Sequence, residues 1–392
     1  MSAPKLRFKE FDQKWGVDAL QDQIDFLAGY AFDSKLMSNE PQKYQLIKMS
    51  NVYQNQLDLT RNPSYWTNID SKIEKFLLKK GDIVLTLTGT VGKTDYGYNV
   101  EIDKDDKFLL NQRLVRLRAK QDLSDSKFIQ YRISTDKFFY HFFYSSKGGT
   151  GNQSNVSIED LKLLELNFPS KEEQTKIAAF LSAVDEKITQ LTQKHQLLSQ
   201  YKQGMMQKLF SQQIRFKADD GSEFGEWQEN QLLDLSTKKS SKVTAKDIED
   251  NDGDYIVFGA SGHFRNINSY TESEPYIAIV KDGAGAGRLF LMPEKSSVLG
   301  TLEIVKPNLN IQLNFLFYRM QLIDFSSYIK GSTIPHVYFK DYSQEKIYLP
   351  CLEEQTKIAN FLSAIDQKIE VVAQQIEQAK TWKKGLLQQM FI

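Results

Sequence analysis

Polar loops that contain glycine carry the side chains best suited to chemistry with a ligand. Two such loops occur in each half of the chain, and their cationic, amide and hydroxyl side chains are Lys93, Lys147, Asn152, Gln153, Lys281, Arg288, Lys330 and Ser332. Side chains of these types form hydrogen bonds with base edges and with phosphate oxygens. The sequence therefore predicts nucleic-acid contacts in these loops.

The glycine-rich run Gly283–Gly287 raises the alternative of a mononucleotide site. It lacks the GxGxxG spacing of dinucleotide-binding folds, and no Lys-Ser or Lys-Thr pair follows it as in a phosphate-binding loop. We therefore interpret this run as a tight turn that presents its backbone to a ligand.

Two further segments have residues that a nucleic acid can contact. In a strand, Arg116 and Arg118 share one face, and guanidinium groups match phosphate oxygens. A solvated strand face explains the same alternation equally well. The aromatic run Phe138–Tyr144 is suited to stacking on bases, but core packing is the preferred interpretation.

Motifs for catalysis or metal binding are missing from the sequence. The four histidines are scattered, and Cys351 is the single cysteine, so neither a disulfide framework nor a metal site is expected. There is no GxSxG and no HExxH motif. We predict a chain that has no active site of its own.

The amino-acid composition narrows the class of protein further. The chain has 392 residues with 50 Lys and Arg against 50 Asp and Glu. The balance is uneven, because residues 1–168 carry 24 basic and 22 acidic residues while residues 213–349 carry 15 and 19. No apolar run approaches the ~20 residues of a membrane span. Without a signal peptide at the N-terminus, a cytoplasmic protein is expected.

An internal repeat organises the chain. The segment Pro169–Ile188 recurs 181 positions later as Pro350–Ile369, with 15 of 20 positions identical. Weaker similarity joins the flanking segments, since Trp15 and Trp227 follow the related openings Leu6-Arg7-Phe8 and Ile214-Arg215-Phe216. The chain is therefore a tandem duplication of a variable globular segment and a constant helical one.

Each constant segment predicts a long amphipathic helix. Its apolar residues follow a 3.5-residue period, typical of a coiled-coil seam, at Ile177, Leu181, Val184, Ile188, Leu191 and Leu198 in the first copy and at Ile358, Leu362, Ile365, Ile369, Val372 and Ile376 in the second. His195, Lys202 and Lys383 are polar seam positions interpreted as register-setting or end-fraying residues. Ser170 and Glu173 predict a capping box. Gly204 and Gly385 are potential interruptions.

These patterns predict an α+β protein with a pseudo-twofold internal repeat. We expect domains at 1–168 and 213–349, separated by helical spacers at 169–212 and 350–392. The two equal seams are expected to pair as an antiparallel coiled coil. The alternative is that each helix packs only on its own domain.

The repeat resembles the helical region of type I restriction–modification specificity (S) subunits. The resemblance rests on Pro-x-x-Glu-Glu-Gln-x-x-Ile-Ala-x-Phe-Leu-Ser-x-(Val/Ile)-Asp-x-Lys-Ile, found in both copies. The Trp openings, the stretch Asp254–Gly262 and the run Lys281–Gly285 are also similar to the target recognition domains of that family.

This resemblance implies a non-catalytic subunit whose two domains read the halves of a split, asymmetric target in double-stranded DNA. The helices would act as a ruler for the gap. The implied partners are two modification subunits, which use S-adenosylmethionine, and restriction subunits, which use ATP and magnesium. The chain itself would bind no cofactor. Two alternatives stay open: a coiled-coil scaffold with two ligand-binding domains, and a self-contained DNA methyltransferase.

Overall fold

The constant segments form two long helices, Lys171–Phe210 and Leu352–Met390. At the start of the first helix, the Ser170 hydroxyl oxygen accepts a hydrogen bond from the Glu173 N–H at 3.4 Å. Both helices run unbroken through Gly204 and Gly385, contrary to the expectation that a glycine would interrupt them. The ~1 kcal/mol cost of each glycine is small beside the burial of the apolar side chains around it.

The computed structural model describes residues 4–91, 93–144, 147–148, 153–248 and 252–391. The chain divides into two compact units. Unit 1 comprises residues 1–191 and 375–392, and unit 2 comprises residues 192–374. Each long helix is thus divided between the two units, whereas the four segments predicted from the sequence keep every helix whole.

The elements of unit 1 are short apart from the long helices. Its strands are β1 (Gly16–Ala19), β2 (Ile24–Ala28), β3 (Tyr44–Ile47), β4 (Val52–Tyr53), β5 (Gln56–Leu57), β6 (Tyr65–Trp66), β7 (Ile83–Thr86), β8 (Thr88–Thr90), β9 (Asn99–Glu101), β10 (Phe108–Leu110), β11 (Leu114–Ala119), β12 (Lys147–Gly148), β13 (Gln153–Asn155) and β14 (Glu165–Phe168). Its helices are α1 (Leu20–Gln23), α2 (Ser71–Glu74), α3 (Ser126–Arg132), α4 (Asp136–Tyr144), α5 (Ile158–Lys162), the N-terminal part of α6 (Lys171–Phe210) and the C-terminal part of α10 (Leu352–Met390), with 3-10 turns at Ser34–Leu36 and Met49–Asn51.

Unit 2 has the same style of construction. Its strands are β15 (Gln228–Gln231), β16 (Ser236–Ser240), β17 (Tyr255–Gly259), β18 (Gly262–Ile267), β19 (Tyr276–Val280), β20 (Leu289–Met292), β21 (Ser297–Val298), β22 (Leu302–Pro307) and β23 (Lys346–Leu349). Its helices are α7 (Leu232–Leu235), α8 (Leu313–Met320), α9 (Phe339–Tyr342), the C-terminal part of α6 and the N-terminal part of α10, with 3-10 turns at Lys246–Ile248 and Phe325–Tyr328.

The central sheets of the two units have matching topology. In unit 1 the order is β2-β11-β7-β9, and in unit 2 it is β16-β22-β19-β20, with antiparallel neighbours throughout. A two-stranded antiparallel pair leads into each long helix, β1-β14 in unit 1 and β15-β23 in unit 2. The structure therefore extends the repeat seen in the sequence to the globular segments.

Each central sheet separates two apolar cores. In β19, Ile277 and Ile279 pack with α8 and the long helices, whereas Tyr276, Ala278 and Val280 pack against the smaller sheet β18-β17-β21 on the other side. This follows from the period-two geometry of a strand, which sends successive side chains to opposite faces. Strand β19 is therefore apolar on both faces because each face packs into a core.

Within each unit the long helices run antiparallel. In unit 1, Phe180 of α6 contacts Trp382 of α10, and Leu191 lines the same groove as the earlier α10 residue Gln375. In unit 2, Lys202 of α6 forms an ion pair with Asp366 of α10. The predicted α+β class with an antiparallel helix pair is confirmed. No helix in the described part of the chain is long and apolar enough to cross a membrane.

Candidate functional site

In unit 2, two loops predicted to contact nucleic acid lie side by side. The Gly283 N–H, in the turn after β19, donates to the Pro335 carbonyl at 2.9 Å. Lys330 and His336 exchange two backbone hydrogen bonds of 2.8 Å, which close the second loop into a small hairpin. The structure thus joins both glycine-containing loops into one surface at the end of β19.

The turn after β19 depends on its glycines. Gly283, Gly285 and Gly287 have φ angles of 91°, 99° and 89°. These left-handed conformations are costly for residues with a Cβ atom. At Gly287, an added Cβ would also lie 2.4 Å from the Cβ of Phe325. The turn is therefore built to hold a fixed backbone shape, as its sequence indicated.

The four side chains of unit 2 that were predicted to contact nucleic acid lie in these loops and differ in exposure and in bonding partners. Arg288 is exposed and donates to the Ala260 carbonyl at 3.1 Å. Lys330 is also exposed, and its Nζ lies 2.6 Å from a carboxylate oxygen of Asp341. Lys281 is partly buried, and Ser332 is exposed at the tip of the hairpin. All four are brought together, and their DNA contacts remain a prediction.

Four further side chains in this surface were missed by sequence reasoning. Nδ1 of His336 lies 2.7 Å from Oδ1 of Asp282. The ring of Tyr338 is stacked on His336 with a centroid distance of 6.2 Å, and Lys340 lies over the same ring. Tyr338 is 45% exposed. The surface therefore combines cations, an imidazole and an accessible aromatic ring.

The equivalent position in unit 1 lies at the end of β7. There β8 pairs with β13, so that the loop carrying Lys93 adjoins the strand that begins at Gln153. Lys93 is exposed. Lys147 lies in β12, which pairs with β13. Asn152 lies outside the described residues.

Arg116 and Arg118 are placed elsewhere on the first domain. Both lie on β11, whose residue Leu117 pairs with Ile83 at the opposite end of β7 from the loops. Nε and Nη2 of Arg118 donate to the carboxylate of Asp82 at 2.6 and 2.8 Å. This contact raises the pKa of the guanidinium. Burial lowers the pKa of Arg116. The structure therefore separates these two arginines from the other predicted residues.

A buried carboxylate fastens the first domain to the start of α6. Glu173 is 1% exposed and accepts hydrogen bonds from Nε and Nη2 of Arg7 at 2.7 and 2.8 Å. Nε1 of Trp15 donates to the same carboxylate at 3.2 Å. The carboxylate of Glu173 is therefore used for this contact and not for the predicted capping box.

Unit 2 repeats this arrangement at the start of α10. Glu354 is fully buried and accepts from Nε and Nη2 of Arg215 at 3.0 and 2.7 Å. Nε1 of Trp227 donates to it at 3.0 Å. The Glu of each set lies more than 120 positions after its Arg and Trp, so only the fold reveals that the three form one joint.

A second polar cluster joins the first domain to both long helices. The hydroxyl of Tyr131, at the end of α3, donates to Asp185 of α6 at 2.7 Å. Lys383 of α10 lies 2.6 Å from the same carboxylate and 5.3 Å from the centre of the Tyr131 ring. Burial raises the pKa of Tyr131 above its ordinary value.

Unit 2 contains the same cluster with the helices exchanged. The hydroxyl of Tyr318, in α8, donates to Asp366 of α10 at 2.7 Å. Lys202 of α6 lies 2.7 Å from that carboxylate and 4.9 Å from the centre of the tyrosine ring. The polar seam positions Lys202 and Lys383 thus make equivalent contacts, one in each unit.

The described residues contain no group of three or more His, Cys, Asp or Glu side chains arranged to hold a metal ion. The polar clusters that the structure does contain consist of matched cations, carboxylates and tyrosines. Their chemistry is suited to holding domains on helices.

Comparisons with known proteins agree with this architecture. The family model for the type I restriction modification DNA specificity domain matches residues 12–200 and 225–381. The MjaX type I restriction enzyme specificity subunit of Methanocaldococcus jannaschii is 26% identical over 411 residues, covering 98% of this chain and 94% of that protein. The MjaVIII specificity subunit of the same organism is 33% identical over 144 residues, which are 35% of this chain and 33% of that protein.

Solved structures share the fold at lower sequence identity. The S subunit of a type I restriction–modification system from M. genitalium superimposes with a TM-score of 0.67 at 20% identity, covering 100% of this chain and 99% of that chain. A chain from a structural study of complex assembly in the type I system gives a TM-score of 0.54 at 16% identity, covering 97% and 98%.

The fold and the duplicated joints define a protein of two globular domains carried on paired helices. With more than half of its length matched by the family model, the chain belongs to the type I restriction–modification DNA specificity family. As a member of that family it is a specificity subunit, the non-catalytic component responsible for DNA recognition.

Proposed function

We propose that the chain reads a bipartite, asymmetric DNA target, with one half-site contacted by each domain. The observation that carries this proposal is a duplicated frame with unlike loops. The Arg-Trp-Glu joint and the Tyr-Asp-Lys cluster are the same in both units, so both domains are held in the same way. The loops at the ends of β7 and β19 differ in sequence, which fits domains that recognise different bases.

The long helices supply a spacer for this function. Helix α6 has 40 residues and α10 has 39, so each spans about 60 Å at 1.5 Å per residue. A continuous helix has a fixed length, and two paired helices resist bending better than one. We propose that this length sets the number of base pairs between the half-sites, since target spacing is then a geometric quantity.

The proposed partners follow from the duplication and from family membership. Two modification subunits would each meet one copy of the repeat and would supply S-adenosylmethionine chemistry. Restriction subunits would add ATP- and magnesium-dependent steps. The assembly would act in the cytoplasm, and it would share the neutralisation of DNA phosphates, because this chain has no net charge.

Sequencing of modified DNA tests the recognition proposal. The chain is co-expressed with its matching modification subunits in a host that lacks adenine methylation, and methylated positions are mapped across the genome. We expect one motif with two different half-sites and a constant gap. Methylation without any enriched motif would contradict the proposal, as would methyl transfer by the purified chain alone. Methylation without an enriched motif would favour the alternative of a coiled-coil scaffold without sequence specificity.

A paired deletion tests the spacer. Removing residues 192–198 from α6 and 368–374 from α10 shortens both helices by one heptad and preserves the seam. Seven residues span about 10.5 Å, so the gap should shorten by roughly three base pairs while both half-sites stay unchanged. The matched control replaces the exposed Gln193 and Glu370 by alanine and keeps the length. Altered half-site bases with an unchanged gap would overturn the spacer role.

A further inference from the structure

Each domain has a pair of facing residues at the same place in its fold, and the two pairs differ in chemistry. In unit 1, Thr88 pairs with Asn155 across β8 and β13. In unit 2, Asp282 and His336 form an isolated antiparallel bridge. Both pairs follow the central strand of a matching sheet, β7 in unit 1 and β19 in unit 2.

The neighbouring backbone confirms that the two pairs are equivalent. In unit 1, the Val156 N–H donates to the Leu87 carbonyl at 3.1 Å. In unit 2, the Val337 N–H donates to the Lys281 carbonyl at 2.9 Å. Each donor is the residue after the second member of its pair, and each acceptor is the residue before the first. The sequences Asn155-Val156 and His336-Val337 therefore occupy equivalent places in the two hydrogen-bonding patterns.

The pair of unit 1 presents an amide donor. Thr88 is 8% exposed, and its hydroxyl lies 3.2 Å from Oδ1 of Asn155, to which it donates. Asn155 is exposed, and its Nδ2 makes no hydrogen bond to the residues that the structure describes. With its oxygen held by Thr88, the side chain directs two N–H donors outward.

The pair of unit 2 presents an acceptor. A carboxylate can only accept, so Nδ1 of His336 donates to Oδ1 of Asp282 at 2.7 Å. When Nδ1 carries the hydrogen of this bond, the neutral form of the ring has its lone pair on Nε2. The His336 side chain is 34% exposed, and stacking on Tyr338 fixes the plane of the ring. Its orientation is therefore set before a ligand arrives.

We propose that Asn155 and His336 are base-reading residues at equivalent positions of the two domains. Asn155 donates to an acceptor on a base edge, such as N7 or O6 of a purine or O4 of thymine. His336 accepts from an exocyclic amino group of adenine or cytosine. Major-groove edges differ in this donor and acceptor pattern, so the two positions select different bases. This inference rests on the proposed function and adds the residues and the polarity of the contact.

Variants that change polarity test the proposal within the complete complex of chain and modification subunits. Asn155→Asp replaces the outward donors with an acceptor, and His336→Leu removes the acceptor of the second domain. His336→Gln keeps a donor for Asp282 and an acceptor for the base. The matched control is Leu309→Ala, at a 94% exposed position of unit 2.

The readout is the mapped methylation motif, together with binding of the complex to duplexes that are changed at single positions of one half-site. We expect His336→Leu to lose about 10-fold discrimination at one position of one half-site, with the other half-site and the gap intact. His336→Gln should retain that discrimination. Asn155→Asp should change one position of the opposite half-site.

Two outcomes separate this inference from the proposed function. If the wild-type complex shows no bipartite motif, the proposed function itself fails. If the wild-type motif is present and all the variants keep every base preference, the base-reading role of Asn155 and His336 is overturned. Equal loss in His336→Leu and His336→Gln, with co-purification and thermal unfolding unchanged, would also contradict the acceptor role.

Discussion

The two units use the same residues to hold their domains and different residues to face outward. The joint at Glu173 and the joint at Glu354 agree in donors, acceptors and burial. The loops beyond β7 and β19 share a backbone arrangement but have a Thr-Asn pair in one case and an Asp-His pair in the other. Support and recognition are thus carried by separate parts of the molecule.

This separation explains how a duplicated chain can bind an asymmetric ligand. A buried carboxylate that receives three hydrogen bonds tolerates little change, because any unpaired charge left behind is costly. A loop side chain that faces solvent has no such constraint. The comparison therefore predicts equal responses to mutation at the two joints.

The largest effect is expected when the buried glutamates are removed. Glu173→Ala and Glu354→Ala should each destabilise the chain by about 3–5 kcal/mol, because each strands a partly buried arginine and a tryptophan N–H. The Arg7 side chain is 14% exposed and Arg215 is 23% exposed, so the loss in unit 1 should be equal or slightly greater. Urea unfolding followed by tryptophan fluorescence measures both.

The adjacent glutamates are the controls for this test. Glu172 and Glu353 are exposed, and their replacement by alanine should cost less than about 0.5 kcal/mol. A large loss at one joint combined with a negligible loss at the other would break the equivalence of the two units.

A smaller effect is expected at the tyrosines. Tyr131→Phe and Tyr318→Phe each remove a 2.7 Å hydrogen bond to a carboxylate and should cost about 1.5–3 kcal/mol by urea unfolding. Tyr140→Phe, at a position that is 69% exposed, is the control and should be neutral. If the two buried positions responded unequally, one cluster would carry more of the support than the other.

The smallest expected effect is a change in how the free energy of unfolding depends on pH at alkaline pH. Burial raises the pKa of Tyr131 and of Tyr318 above the ordinary value of about 10. The unfolded chain therefore releases these protons first, and stability falls as pH rises above about 10. In Tyr131→Phe and Tyr318→Phe that fall should be shallower by similar amounts, as measured by urea unfolding at pH 9 to 11. A steeper fall in either variant would contradict the assignment.

The helices and the repeat could be predicted from the sequence because their signals are local and periodic. The expected helical spacer 169–212 contains all of α6 and extends two residues beyond it at each end. Gly204 was the visible weak point, yet an added Cβ there would meet nothing within 4 Å, so this glycine is not required by close packing. The helix continues because apolar side chains on either side of the glycine, Leu191 before it and Leu209 after it, are buried.

The site was harder to predict because its contacts join distant segments. Glu173 has the spacing of a capping residue, but its partner Arg7 is 166 positions away. Arg118 has the chemistry of a phosphate ligand, but Asp82 neutralises it. His336 had a usable signal, since Asn155-Val156 and His336-Val337 both follow a polar loop. That alignment gains meaning only once the two strand ends are superimposed.

The antiparallel helix pair also has a consequence for how the chain is made. Leu386, Met390 and Phe391 lie in the core of the first domain, and Phe391 packs on Arg132, where burial lowers the arginine pKa to about 10. These residues leave the ribosome roughly 200 residues after the start of α6 has emerged, a delay on the order of ten seconds or more. The domain that is synthesised first is therefore the one whose folding finishes last.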